Sequence, residues 1–286
     1  MRKNQDFFFL LIQLATVCVL LGRAWQHWFW DAPFRTVLWE EAWMRQPVSF
    51  LLGMTWDEYV SSPRVDNFIQ GMIKGFGVFY FVCAVAAIFA RKLPEALRWL
   101  LPAGSLALMF LAICYMKVSF YSLGQFLEYT LQFSAPVFLF YILKNPGKRS
   151  RLILPMKIAI AFTFTCHGLY AVGYYPIPGN FVQMVISILH VGDATAKNFL
   201  ALAAFMDFLI SVLIFLPGRI GRVALLYAVF WGFMTSIARV WANFYPEFWL
   251  ESLHQWMPET VYRFPHFLIP AALLYFLNKE KSLVFK

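Results

Sequence analysis

The sequence predicts an all-α integral membrane protein with eight transmembrane helices, arranged as two tandem parallel four-helix repeats. Three observations predict it. The 286-residue chain is 61% hydrophobic and only 14% charged, against roughly a quarter charged in soluble domains. Its apolar residues gather into eight runs, each near the roughly 20 residues that a bilayer crossing needs. Its Lys and Arg fall on alternate connections, the asymmetry of a multi-pass protein. With 32 Phe and 11 Trp the chain carries too much apolar surface for disorder, and eight spans leave no room for a large soluble domain.

The first span is expected at 7–22. Arg2 and Lys3 before it give it the look of a signal peptide, but bulky Arg23-Ala24-Trp25-Gln26-His27-Trp28 follows in place of a small-residue cleavage site, so it reads as a retained helix. The long connection 25–65 contains Trp28, Trp30, Trp39, Trp43 and Trp56 with acids between them. Segment 34–44 suits an amphipathic turn or two, and Thr55-Trp56-Asp57-Glu58 reads as a capping box. Trp favours the headgroup depth, so this segment is expected to lie on the membrane, with a lid over a cavity as the alternative. The second span, 68–90, contains Gly71-Met72-Ile73-Lys74-Gly75, a GxxxG expected to pack against another helix. The third, fourth and fifth spans are expected at 99–116, 126–143 and 158–175. After a second interfacial helix near 181–189 come the sixth, seventh and eighth, at 199–216, 224–241 and 261–277.

The net charge of +9 gains meaning when it is distributed over this topology. The two tails and the connections on their side hold fifteen Lys and Arg (Arg2, Lys3, Arg91, Lys92, Arg98, Lys144, Lys148, Arg149, Arg151, Lys157, Arg219, Arg222, Lys279, Lys281, Lys286) against Asp6, Glu95 and Glu280, a net of +12, leaving −3 for the rest. The positive-inside rule then puts both termini in the cytoplasm, in what is expected to be a bacterial inner membrane. The basic excess is read as orientation, with the lipid bilayer as partner and no nucleic acid.

Two halves, 1–150 and 151–286, resemble each other. Asp66-Asn67-Phe68-Ile69 matches Lys197-Asn198-Phe199-Leu200, the run from Gln132 to Leu143 matches that from His266 to Leu277, and Phe120-Tyr121 recurs as Phe244-Tyr245. An even number of spans per unit makes such repeats parallel, unlike the inverted repeats of many transporters.

The ionisable residues inside the spans carry the functional reading. A charge near the bilayer centre costs roughly 2.5 to 3.5 kcal/mol on insertion scales, so such groups face a bundle interior. Arg23 and His27 stand at the outer end of the first span, Lys74 in the outer third of the second, Lys117 at the end of the third and Glu128 near that of the fourth. His167 and Asp207 fall near the midplane, and Arg239 and His266 in the outer quarter of theirs. All lie at or outside the midplane, which implies a polar cavity open to the extracytoplasmic side and closed toward the cytoplasm. Structural readings stand beside this: Arg23 and Lys117 snorkelling to headgroups, and ion pairs of Asp207 with Arg239 and of Glu128 with Lys74. His167 beside Gly168 is the strongest functional candidate, and His266 replaces Gln132 in the repeat match.

No HExxH, Walker or GxSxG motif is present. Cys18, Cys83, Cys114 and Cys166 all fall in spans and read as small apolar fillers. His27, His190, His254 and His266 lack any metal-site spacing, and no metal is expected.

The Leu21-Gly22-Arg23 end of the first span, the glycines from Gly71 to Gly77 and the aromatic-Pro pattern Phe133 to Pro136 resemble the DoxX-like superfamily, distantly related to the membrane domain of vitamin K-dependent carboxylases. That resemblance implies four-helix units and, for some members, quinone-linked chemistry; the chain lacks the carboxylases' large luminal domain. The expected function is binding of a quinone or lipid for proton-coupled or redox chemistry. His167 and His266 would exchange protons, Asp207 would orient or take protons from one of them, and Arg239 would anchor a ligand oxygen, with Lys74, Glu128, His27 and Arg23 as further ligand-binding candidates. The alternative is a non-enzymatic membrane subunit with structural buried charges, whose Trp-rich loop docks a membrane or extracytoplasmic protein.

Overall fold

The computed structural model describes the backbone of residues 2–284 and the side chains of residues 7–279; the tail charges Arg2, Lys3, Asp6, Glu280, Lys281 and Lys286 lie outside the described side chains. Among the described residues there are helices and no strand. In chain order they are α1 (Arg2–Phe29), α2 (Arg35–Leu38), α3 (Glu41–Leu52), α4 (Trp56–Ser61), α5 (Pro63–Ile88), α6 (Glu95–Arg98), α7 (Leu100–Val118) and α8 (Leu123–Glu128). There follow α9 (Thr130–Lys144), α10 (Ile153–Ala171), α11 (Gly179–Leu189), α12 (Asp193–Leu213), α13 (Gly218–Ala242), α14 (Trp249–Tyr262) and α15 (Pro265–Val284).

Eight stretches of the described chain are long and apolar enough to cross a membrane. The fourth, Leu123–Lys144, combines α8 with α9, and the eighth, Pro246–Lys279, combines α14 with α15. Their outward faces expose Leu106, Val212, Val223 and Leu226, while Ile12, Val19, Leu20, Leu131, Leu139, Leu225 and Ile269 are fully buried between helices. Apolar residues all round a helix suit lipid on one side and protein on the other.

α1 and α10 lie at the centre. α1 packs on α5, α9, α14 and α15, and α10 on α12, α8, α9 and α15. α1 continues past the expected end of the first span because Arg23 and His27 are fully buried and so belong to the bundle interior. At Gly22 an added Cβ would come within 2.6 Å of the Tyr262 backbone nitrogen, so only hydrogen lets α14 approach this closely. The GxxxG expectation is corrected: Gly71 and Gly75 have nothing within 4 Å of an added Cβ, and the glycine of α5 that meets α1 is Gly77.

The connection after α1 is ordered by charge and capping. Arg35 joins Asp66 at 2.8 Å and Asp31 at 3.1 Å, and Lys117 pairs with Glu40. The capping box forms as expected, with Thr55 and Glu58 bonded reciprocally. Hydrogen bonds from the Thr55 N–H and hydroxyl hold the Glu58 carboxyl below its ordinary range.

Candidate functional site

The fourth and eighth spans are both broken, and the breaks build the site. Pro265 opens α15 without an N–H to continue the helix of α14. The carbonyl of Arg263 accepts from the His266 N–H at 2.8 Å, from His266 Nδ1 at 2.7 Å and from the Ser236 hydroxyl at 3.3 Å. A carbonyl can only accept, so His266 Nδ1 carries the proton of the neutral ring and Nε2 its lone pair; that Nε2 is buried with no protein partner among the described residues. In the fourth span the helix pauses at Tyr129, and the Leu131 N–H finds the Thr163 hydroxyl of α10 at 3.3 Å.

Glu128, the last residue of α8, is buried. Its Oε1 lies 3.0 Å from His167 Nε2 and 3.7 Å from Arg263 Nη2, and its Oε2 accepts from Gln125 Nε2 at 3.3 Å. The His167 ring is stacked on that of His266, with centroids 5.5 Å apart and planes at 20°. A carboxylate, two imidazoles and a guanidinium from α8, α10, α15 and the end of α14 therefore form one cluster. Facing a carboxylate, His167 Nε2 is the donor, which leaves Nδ1 as its basic nitrogen.

Arg23 occupies a different environment a short way across the bundle. Its Nη1 donates to Gln26 Oε1 at 2.6 Å and its Nη2 to Gln132 Oε1 at 2.7 Å. The guanidinium lies 3.6 Å from the centroid of the Tyr262 ring and 5.0 Å from that of Tyr129. Amide oxygens and ring faces thus hold the charge, and a desolvated cation–π contact contributes about 2 kcal/mol. His27 donates from Nδ1 to the Arg23 carbonyl at 2.7 Å and packs edge-on against Tyr80 and Phe34. Arg23 meets Gln132 and Tyr262, and His167 meets Glu128 and His266; His266 stands 134 positions after Gln132, and Tyr262 134 after Glu128.

Arg239 of α13 is 3% exposed. Glu259 lies 3.7 Å from its Nε, and its Nη1 meets the Met184 sulfur at 3.2 Å. Phe181, one turn before Met184 on α11, covers both Arg239 and His167. The cluster is packed side chain against side chain under this short helix.

Of the residues singled out from the sequence, Glu128, His167 and His266 come together, Arg239 shares the cover of Phe181 with His167, and Arg23 and His27 form the neighbouring group. Lys74 is exposed on α5 and does not pair with Glu128, whose partners are His167 and Arg263. Asp207 is buried on α12 beside Tyr227 and Trp231 of α13 and does not pair with Arg239. Arg263, Tyr262 and Glu259 were missed, although Glu259, Arg263 and His266 recur at helical spacing as a polar stripe. Among the described residues no group of three or more His, Cys, Asp or Glu could hold a metal ion. The four cysteines are free. Comparison of the chain with family models, curated proteins and solved structures finds no match, so the functional reading rests on this geometry.

Proposed function

We propose that this membrane protein binds a lipid-soluble molecule, a quinone or a lipid, in the half of the bundle away from its termini and exchanges a proton with it. The observation that carries the reading is the Glu128–His167 pair stacked on His266, whose Nε2 has no protein partner among the described residues. Glu128 fixes the ring of His167, so His167 Nδ1 and His266 Nε2 are basic nitrogens on two stacked rings, suited to accept a proton from a ligand hydroxyl and return it to the same oxygen. Arg239 orients the ligand oxygen, and α11 is the segment that yields to admit it. The reading includes termini in the cytoplasm of a bacterial inner membrane, a tandem repeat relating Arg23 to His167, and kinship with DoxX-like proteins. Mass spectrometry of protein purified from native membranes tests it: a stoichiometric quinone or lipid is expected, lost in a folded His167→Ala variant. Ligand-free protein, or ligand retained by that variant, sinks the reading.

A second reading is a non-enzymatic subunit that docks a protein partner through its long connection. The exposed tip of α3 favours it, with Phe50 88% and Leu51 73% accessible. Under it, His167→Ala and Asp207→Asn lower folding yield and change no ligand.

A further inference from the structure

Taken as the ligand site proposed above, the cluster also specifies the chemical class of its ligand. Where α13, α14 and α15 meet, donors outnumber acceptors. Arg239 and Arg263 are both buried, and Glu259, 3.7 Å from Arg239 Nε, lies one helical turn before Arg263. The acids beside them, Glu259 and Glu128, each stand 3.7 Å from a guanidinium nitrogen, beyond the length of a hydrogen bond. Glu128 is already engaged by His167 at 3.0 Å. Arg263 Nε and Nη1 and Arg239 Nε find no acceptor among the described residues. Arg239 Nη1 meets the thioether of Met184, a weak acceptor for a charged donor.

Two guanidinium forks with unmade N–H bonds are complementary to an anionic group with several oxygens. The covering side chains, Phe181 and Met184, are apolar and belong to a helix whose sequence, GNFVQMVISIL, is mostly apolar. This favours a ligand with a hydrocarbon tail behind its head. We propose that Arg239 and Arg263 hold a phosphate or carboxylate group, with Met184 as the side chain that gives way to its oxygen. The adjacent His266 Nε2 then faces the head of the ligand, where a proton shared with a phosphate or carboxylate oxygen can reside.

The full-length protein in neutral maltoside detergent tests this through saturable ligand-induced shifts in thermal unfolding. Dodecyl phosphate or laurate is expected to bind at least about tenfold more tightly than dodecanol. Inorganic phosphate separates the two sources of the chemistry: binding as tight as that of dodecyl phosphate assigns the site to a free anion, and much weaker binding assigns it to an amphiphile, both consistent with the two-arginine site. Arg239→Gln is expected to weaken dodecyl phosphate about tenfold. Met184→Leu keeps the side-chain volume, removes the sulfur and is expected to tighten binding about threefold. If Arg239→Gln does not fold, Met184→Leu and the headgroup comparison decide. Dodecanol binding as tightly as dodecyl phosphate, no binding of any anionic compound, or unchanged affinity in Met184→Leu overturns the inference. A short-chain benzoquinone that binds through His167 with no preference for an anionic head also overturns it, and leaves the proton-exchange reading standing.

Discussion

Glu128 is the side chain on which the cluster depends, because an imidazole and a guanidinium from different helices face one carboxylate. Replacing a buried ion by a neutral isostere leaves its partners desolvated and unpaired, which is more damaging than never having had the pair. Glu128→Gln is therefore expected to lower stability by about 3 kcal/mol, read as an earlier unfolding midpoint in SDS; an unchanged midpoint would show that Arg263 and His167 find other acceptors. Arg23 depends less on any single partner, since two amide oxygens and the tyrosine rings share its charge. That difference explains why depth alone misassigned the partner of Glu128. Position along a span places Lys74 at a suitable height, but its angle about the helix axis turns it outward, and each residue changes that angle by about 100°.

At the scale of helices, hydropathy made the eight spans legible because apolar length is a constraint imposed by the bilayer itself. The interruptions at Tyr129 and Arg263 were not legible. Pro265 is a strong local signal, yet it lies at the edge of an expected span, where a proline is unremarkable; Arg263 beside it then resembles a boundary residue. The spacing of Gly71 and Gly75 suits a packing surface, whereas packing needs a partner on that face, and none stands there among the described residues. Gly22→Ala is expected to cost about 2 kcal/mol by pushing α14 from α1, while Gly71→Ala stays within about 0.5 kcal/mol. Thermal unfolding of both variants in detergent checks the contrast, and equal effects would refute the assignment of Gly22 as the contact.

For the whole molecule, the orientation proposed from the charge asymmetry is one that labelling can read. Three of the four native cysteines are buried and the fourth is partly so, which keeps the background low. In sealed inside-out vesicles, a membrane-impermeant maleimide is expected to label Ser150→Cys and spare Ser61→Cys; the reverse pattern would invert the topology and the side from which the site is reached. The crossing of partners between halves has a further consequence during synthesis. α14 and α15 are the last of the described spans to leave the ribosome, and they bring Tyr262, Arg263 and His266. Until they insert, Arg23 lacks the ring lying on it and Glu128 lacks its guanidinium, so a stalled chain holds under-compensated charges within the bilayer. Insertion of α14 and α15 therefore completes two environments at once, laying the Tyr262 ring on Arg23 and bringing the Arg263 guanidinium to Glu128.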